Sequence, residues 1–142
     1  MMKIIIGADH GGFELKQVVV GLLERLDYDV DDIGCHSPVS VDYPDFAETV
    51  CAAVLAGRAD CGILICGTGI GMSMAANRYR GIRAAVCHDE YTARLSRQHN
   101  NANVLCFGAR VIGPGVAESL VQTWLASSFD GGRHQHRIAK FS

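Results

Sequence analysis

The chain has no excess of either charge: 13 lysines and arginines face 15 aspartates and glutamates, for a formal net charge of −2 with histidine neutral. With a sequence pI near 6.3, nothing drives it in general toward nucleic acid or an anionic membrane surface, so any phosphate has to be held locally. No apolar run approaches the ~20 residues that cross a bilayer, and the apolar stretch in the opening MMKIIIGADHGG is too short for a signal peptide. The expectation is a cytoplasmic protein that engages neither membrane nor nucleic acid. There is no CxxC pair, no HExxH and no Cys/His array with zinc spacing. A Walker loop is missing too, because GTGIG at 67–71 lacks the Lys-Ser/Thr pair, and neither it nor Gly7 to Gly12 matches GxGxxG.

What is present is a regular alternation. A length of 142 residues suits a single domain over residues 1–142 with one substantial core. The pattern predicts strands at Lys3 to Gly7, Asp29 to Ile33, Cys61 to Cys66, Ile82 to Cys87 and Asn103 to Phe107. Helices are predicted from Phe13 to Leu26, from Pro44 to Leu55, from Ile70 to Asn77, from Glu90 to Gln98 and from Pro114 to Ser127. Strands alternating with helices specify an α/β fold, a three-layer sandwich with a five-stranded, mainly parallel sheet that is Rossmann-like in its winding. In such sheets ligands bind beyond the carboxyl ends of the strands. Three polar loops should meet there: Asp9-His10, Cys66 to Gly71, and Gly108 to Arg110. Of the cysteines at 35, 51, 61, 66, 87 and 106, four lie in or at the end of predicted core strands, which favours reduced thiols over disulfides.

The segment CGILICGTGIG at 61–71 carries the clearest chemical signal. An apolar strand delivers Cys66 into a glycine turn whose N–H groups can approach an anion. A thiolate there could take a proton while the amides hold the resulting oxyanion. Against this stands the ordinary role of cysteine as a small buried hydrophobe, and position alone leaves the two even. Thr68 could orient a substrate hydroxyl, though its spacing favours capping the next helix, and Asp9 has the same double reading. His99 could be no more than a cation at a helix carboxyl terminus. Arg78, Arg80, Arg83, Arg94 and Arg97 read as solvated or paired surface charge. His36, His88 and His136 give no specific signal. The tail GGRHQHRIAKFS is polar, but Arg133 and Arg137 are spaced so that a helical turn puts both guanidinium groups on one face.

Taken together, GADHGGFELK, VDYPDFA, GILICGTGIGMSMAANRYRGIRAA, LSRQHNNANVLCFGARVIG and GGRHQHR, in this order along nearly the whole chain, resemble the type B ribose-5-phosphate isomerases. That family also holds galactose-6-phosphate and allose-6-phosphate isomerases. The resemblance implies an aldose–ketose isomerase that interconverts ribose 5-phosphate and ribulose 5-phosphate through a cis-enediolate, without metal or cofactor, in the non-oxidative pentose phosphate branch. It implies that Cys66 is the base, that Gly67, Thr68, Gly69, Ile70 and Gly71 form the anion hole, and that Thr68 assists transfer between substrate oxygens. His99 would open the furanose ring with Asp9 nearby. His10, Arg110, Arg133 and Arg137 would grip the phosphate, and Asn100 would touch substrate. Sites in the family lie between subunits, so a homodimer is expected, with the segment 129–142 as a wall of the site or interface and a tetramer left open. A six-carbon sugar phosphate and a noncatalytic sensor are the rival readings.

Overall fold

The central strands are apolar on both faces because each face meets its own layer of helices. The computed structural model describes residues 2–142, with strands β1 (Lys3–Ala8), β2 (Asp29–Asp32), β3 (Cys61–Cys66), β4 (Ala84–Val86) and β5 (Val104–Gly108). Helices are α1 (Phe13–Arg25), α2 (Tyr43–Leu55), α3 (Ile70–Ala76), α4 (Glu90–Gln98), α5 (Pro114–Ala126) and α6 (Arg133–Ile138). Every strand pair is parallel, in the order β2-β1-β3-β5-β4, so the sheet is wholly rather than mainly parallel. Ile4, Ile6, Ile63, Ile65, Leu105 and Phe107 pack with α1, α4 and α5, around Val19, Leu23, Leu120 and Trp124. The alternate residues Ile5, Leu64, Cys66, Val104 and Cys106 pack with Val50 and Cys51 of α2 and Met72 and Ala76 of α3. This is the period-two alternation of a strand covered on both sides. No helix among the described residues is long and apolar enough to cross a membrane.

Register aligns the loops that follow the central strands. Ala8 pairs with Ile65, and Cys66 pairs with Gly108, so β1, β3 and β5 end at one edge. β1 lies between β2 and β3, where the strand order reverses and parallel α/β sheets place their ligands. Most predicted boundaries agree within a residue or two. β4 is the shortest, at Ala84–Val86, because the Arg83 amide turns to Asn103 Oδ1 (2.7 Å) instead of extending the ladder. The tail is ordered: Ile138 of α6 is 3% exposed, and the Asp130 amide donates to the Gln98 carbonyl at 3.0 Å. All the cysteines are free and buried.

Two arginines depart from the surface role expected of them. Arg83 and Arg97 are partly buried. Arg83 Nε donates to the Asn101 carbonyl at 2.8 Å, and Arg97 Nη1 donates to Asn101 Oδ1 at 3.2 Å.

Candidate active site

Cys66 closes β3 with its side chain 5% exposed, and its Sγ accepts the Gly69 N–H at 3.1 Å. The loop reaches this geometry because Gly69 takes φ +79°, and a Cβ there would lie 2.8 Å from the Phe107 backbone. Only glycine meets both demands without strain. Gly108 is needed for a different reason, since a Cβ on it would lie 2.5 Å from Thr68 Cα. Thr68 is exposed, and its Oγ1 accepts the Ile70 N–H at 3.3 Å, so it supports the first turn of α3 and still presents its hydroxyl at the surface. Gly67 lies under the Arg110 side chain, with a Cβ position 3.5 Å from Arg110 Cδ. Opposite Gly71 stands the Tyr43 ring, whose hydroxyl is 2.9 Å from the corresponding Cβ position.

The loop after β1 completes this edge. Asp9 is 8% exposed, and its Oδ1 accepts the N–H groups of Gly11 (3.0 Å) and Gly12 (3.2 Å). It therefore braces the loop that precedes α1, while Gly12 is the N-cap residue. His10 Nδ1 accepts the Val41 N–H at 3.2 Å, so the proton of the neutral ring sits on Nε2, which is left to donate. Cys66, the residues Gly67 to Gly71, Asp9, His10 and Arg110 thus share one edge, as the sequence leads one to expect.

His99, Asn100, Arg133 and Arg137 do not join them within one chain. Helix α4 runs back against the sheet direction, so His99 and Asn100 lie where β5 begins, beside Asn103, whose carbonyl accepts the Gly62 N–H. A strand of six residues such as β3 separates the two edges by roughly 17 Å. The expected nearness of Asp9 to His99 therefore does not occur within a single chain. His99 instead stacks on His134, with ring centroids 4.3 Å apart and planes 10° from parallel. Asp130 joins them, the candidate ligand atoms lying within 4.8 Å of one another. Ligands sharing one zinc ion lie about 3.3 Å apart, so this trio would have to close in to hold a metal. The His134 imidazole is held below its ordinary pKa, by desolvation first and then by the charge of His99. A histidine NMR titration should give His134 a midpoint below the ordinary value, and His99→Asn should move it back upward.

Four of the other cysteines are held as neutral thiols by burial. Burial pushes Cys51 up to about 11 and Cys61 up to about 12, and it raises Cys87 and Cys106 as well. Sequence reasoning missed Tyr43, which lies within the VDYPDFA block, and His88, whose Nε2 accepts the Gly108 N–H at 2.9 Å. No spacing rule points to either, because both reach the loop from other elements.

A buried thiol beside a glycine turn at the carboxyl edge of a parallel sheet, with His10 and Arg110 in the adjoining loops, is an arrangement suited to an α/β enzyme acting on a small anion. A family model described as Ribose/Galactose Isomerase matches residues 4–141, and the chain belongs to that family of isomerases. It is 51% identical over 138 residues to a protein of Escherichia coli (strain K12) named ribose-5-phosphate isomerase B, covering 97% of this chain and 93% of that one. It is 43% identical over 145 residues to a Pectobacterium atrosepticum protein named D-erythrulose-4-phosphate isomerase, covering 99% and 93%. The solved structure of Clostridium thermocellum ribose-5-phosphate isomerase B matches with a TM-score of 0.97 at 53% identity, over 98% of this chain and 94% of that chain.

Proposed function

We propose that this chain interconverts ribose 5-phosphate and ribulose 5-phosphate. The carrying observation is the 51% identity, over 97% of the chain, to a protein named for that activity. The site geometry supports a specific route. His99 opens the furanose ring, and Cys66 takes the C2 proton of the open aldose and returns it to C1 of the cis-enediolate. The amides of the 67–71 loop stabilise the oxyanion, and Thr68 helps move the hydroxyl proton between O1 and O2. Removing a proton α to a carbonyl puts charge on oxygen, and one lost oxyanion donor costs about 2.7 to 4 kcal/mol of barrier. His10, Arg110, Arg133 and Arg137 hold the phosphate, arginine being suited by its planar fork, while Asn100 contacts the sugar.

This reading requires a second copy. With His99, Asn100, Arg133 and Arg137 at the opposite edge from Cys66, a complete set combines the Cys66 edge of one protomer with the α4 end and the 129–142 segment of its partner. We therefore assign a homodimer of single-domain protomers, with a tetramer as the next assembly, and a reducing, cytoplasmic setting that suits the free thiols.

Arg137→Ala should raise KM for the sugar phosphate about tenfold or more with a smaller change in kcat, since it removes ground-state phosphate binding. The name of the Pectobacterium relative makes a four-carbon sugar phosphate the second reading. Turnover of ribose 5-phosphate, erythrulose 4-phosphate, allose 6-phosphate and galactose 6-phosphate, measured with EDTA present, tests the assignment. Strongest turnover on ribose 5-phosphate is expected. Preference for another sugar phosphate would replace the substrate, loss of turnover with EDTA would contradict a metal-free mechanism, and binding without turnover would make the chain a sensor.

A further inference from the structure

At the edge where the strands begin, opposite Cys66, a cavity of about 310 Å³ is lined by Cys61, Arg83, Arg97, Asn101, Asn103 and Trp124. We propose that this cavity is a second binding site, in which the Arg83 and Arg97 guanidinium groups hold a small phosphate-bearing anion.

Both arginines keep donors unused. Arg97 directs Nη1 to Asn101 Oδ1 and the Ala102 carbonyl, leaving Nε and Nη2 without an acceptor among the described residues. Arg83 directs Nε to the Asn101 carbonyl and Nη1 to the Gly81 carbonyl at 3.5 Å, leaving Nη2 without an acceptor among the described residues. Neither forms an ion pair among the described residues, where the pairs are Lys3–Asp29, Lys16–Asp32 and Arg25–Glu118. Both guanidinium groups are lowered in pKa by burial, and Arg83 is lowered further by the charge of Arg97. Arginine nonetheless stays charged, so two like charges stand together in a half-dry cleft until an anion bridges them.

The other lining groups fit that ligand. The Cys61 thiol, pushed up to about 12, stays neutral and does not compete as an anion. The Asp60 carboxylate also lines the cavity, its Oδ2 accepting the Lys3 N–H at 2.7 Å, and its single negative charge leaves the lining net positive against the two guanidinium groups. Trp124 supplies a flat apolar wall, with the Arg97 Cζ 5.6 Å from its ring centroid. Paired planar forks match the oxygens of a phosphate dianion, and the volume lies at the small end of ligand pockets, which run from about 300 to 1,000 Å³. Asn101, which holds both arginines, follows the His99-Asn100 turn directly, so a bound anion bears on the segment that carries His99.

Trp124 is the only tryptophan in the chain, so its fluorescence reports on this cavity. The full-length protein is titrated with glycerol 2-phosphate and with inorganic phosphate, using chloride at matched ionic strength as control. A saturable change with either phosphate is expected, retained in Arg137→Ala and shifted to about tenfold higher concentration or more in Arg83→Gln. Arg83→Lys keeps the charge but not the fork, and should shift in the same direction if Arg83→Gln fails to fold by circular dichroism. No saturable change beyond the chloride control would overturn the proposal. So would a change that survives Arg83→Gln but disappears in Arg137→Ala, which would place the anion in the substrate grip. Turnover is not read, so the outcome is independent of the isomerase assignment.

Discussion

Cys66→Ala is expected to lower kcat by about 10³-fold, within the range for loss of a positioned general base, while KM changes little. The sulfur ends β3 at the point where the backbone turns away, and the Gly69 amide aims a donor at it from 3.1 Å. Cys106, Cys51 and Cys61 offer no substitute. Cys106, the neighbouring strand cysteine, is fully buried with a pKa raised well above the ordinary value by desolvation, and Cys51 and Cys61 are likewise held as thiols. Alanine removes the proposed proton acceptor but leaves the glycine turn, His10 and Arg110 in place, so substrate binding should be spared. Steady-state kinetics on ribose 5-phosphate checks this, with isothermal titration of the variant measuring binding directly. Wild-type turnover in the variant would remove Cys66 from the chemistry.

The second large effect concerns stability. Lys16 lies inside α1 at 1% exposure, and its Nζ reaches both Asp32 carboxylate oxygens, at 2.8 and 2.7 Å. Asp32 also accepts the Gly34 N–H at 3.0 Å, and its own side chain is 27% exposed. The pair ties α1 to the end of β2. Asp32→Ala leaves a buried ammonium without a counter-charge and should destabilise the fold by about 3 to 5 kcal/mol. Lys16→Met should cost less, because the stranded carboxylate is already in partial contact with water. The double variant Lys16→Met/Asp32→Leu should recover most of the loss, since neither charge is then buried alone. Urea unfolding of the four proteins measures all three quantities. Equal losses in the two single variants would show that exposure does not set the cost.

Legibility from sequence follows the range of the interaction that decides each feature. β3 and α4 were readable to the residue because their signals are local: an unbroken apolar run entering glycine, and Asp89 capping Thr92 (2.7 Å) ahead of an amphipathic stretch. β4 was overextended because its start depends on Asn103 reaching across from the next strand. Arg83 and Arg97 looked like surface charge, since nothing in the spacing of arginines along α3–α4 shows that Asn101 folds back to accept from both. The stack of His99 on His134 was equally invisible, 34 residues of intervening chain being closed by the tail. Tyr43 and His88 reach the site through packing alone.

By itself the sequence determined the α/β class, the order of its elements, the two-faced apolar strands and the thiol-glycine turn, because periodicity, glycine conformation and strand propensity act over a few residues. Through its resemblance it also named the reaction and nominated the residues proposed to carry it. Tertiary structure alone decided the strand order β2-β1-β3-β5-β4 and the register that levels Ala8, Cys66 and Gly108. It also decided the burial of the Lys16–Asp32 pair and the division of the candidate residues between two edges of the sheet. These depend on which distant segments share a face, and a linear pattern of side chains does not encode that until the helices have packed.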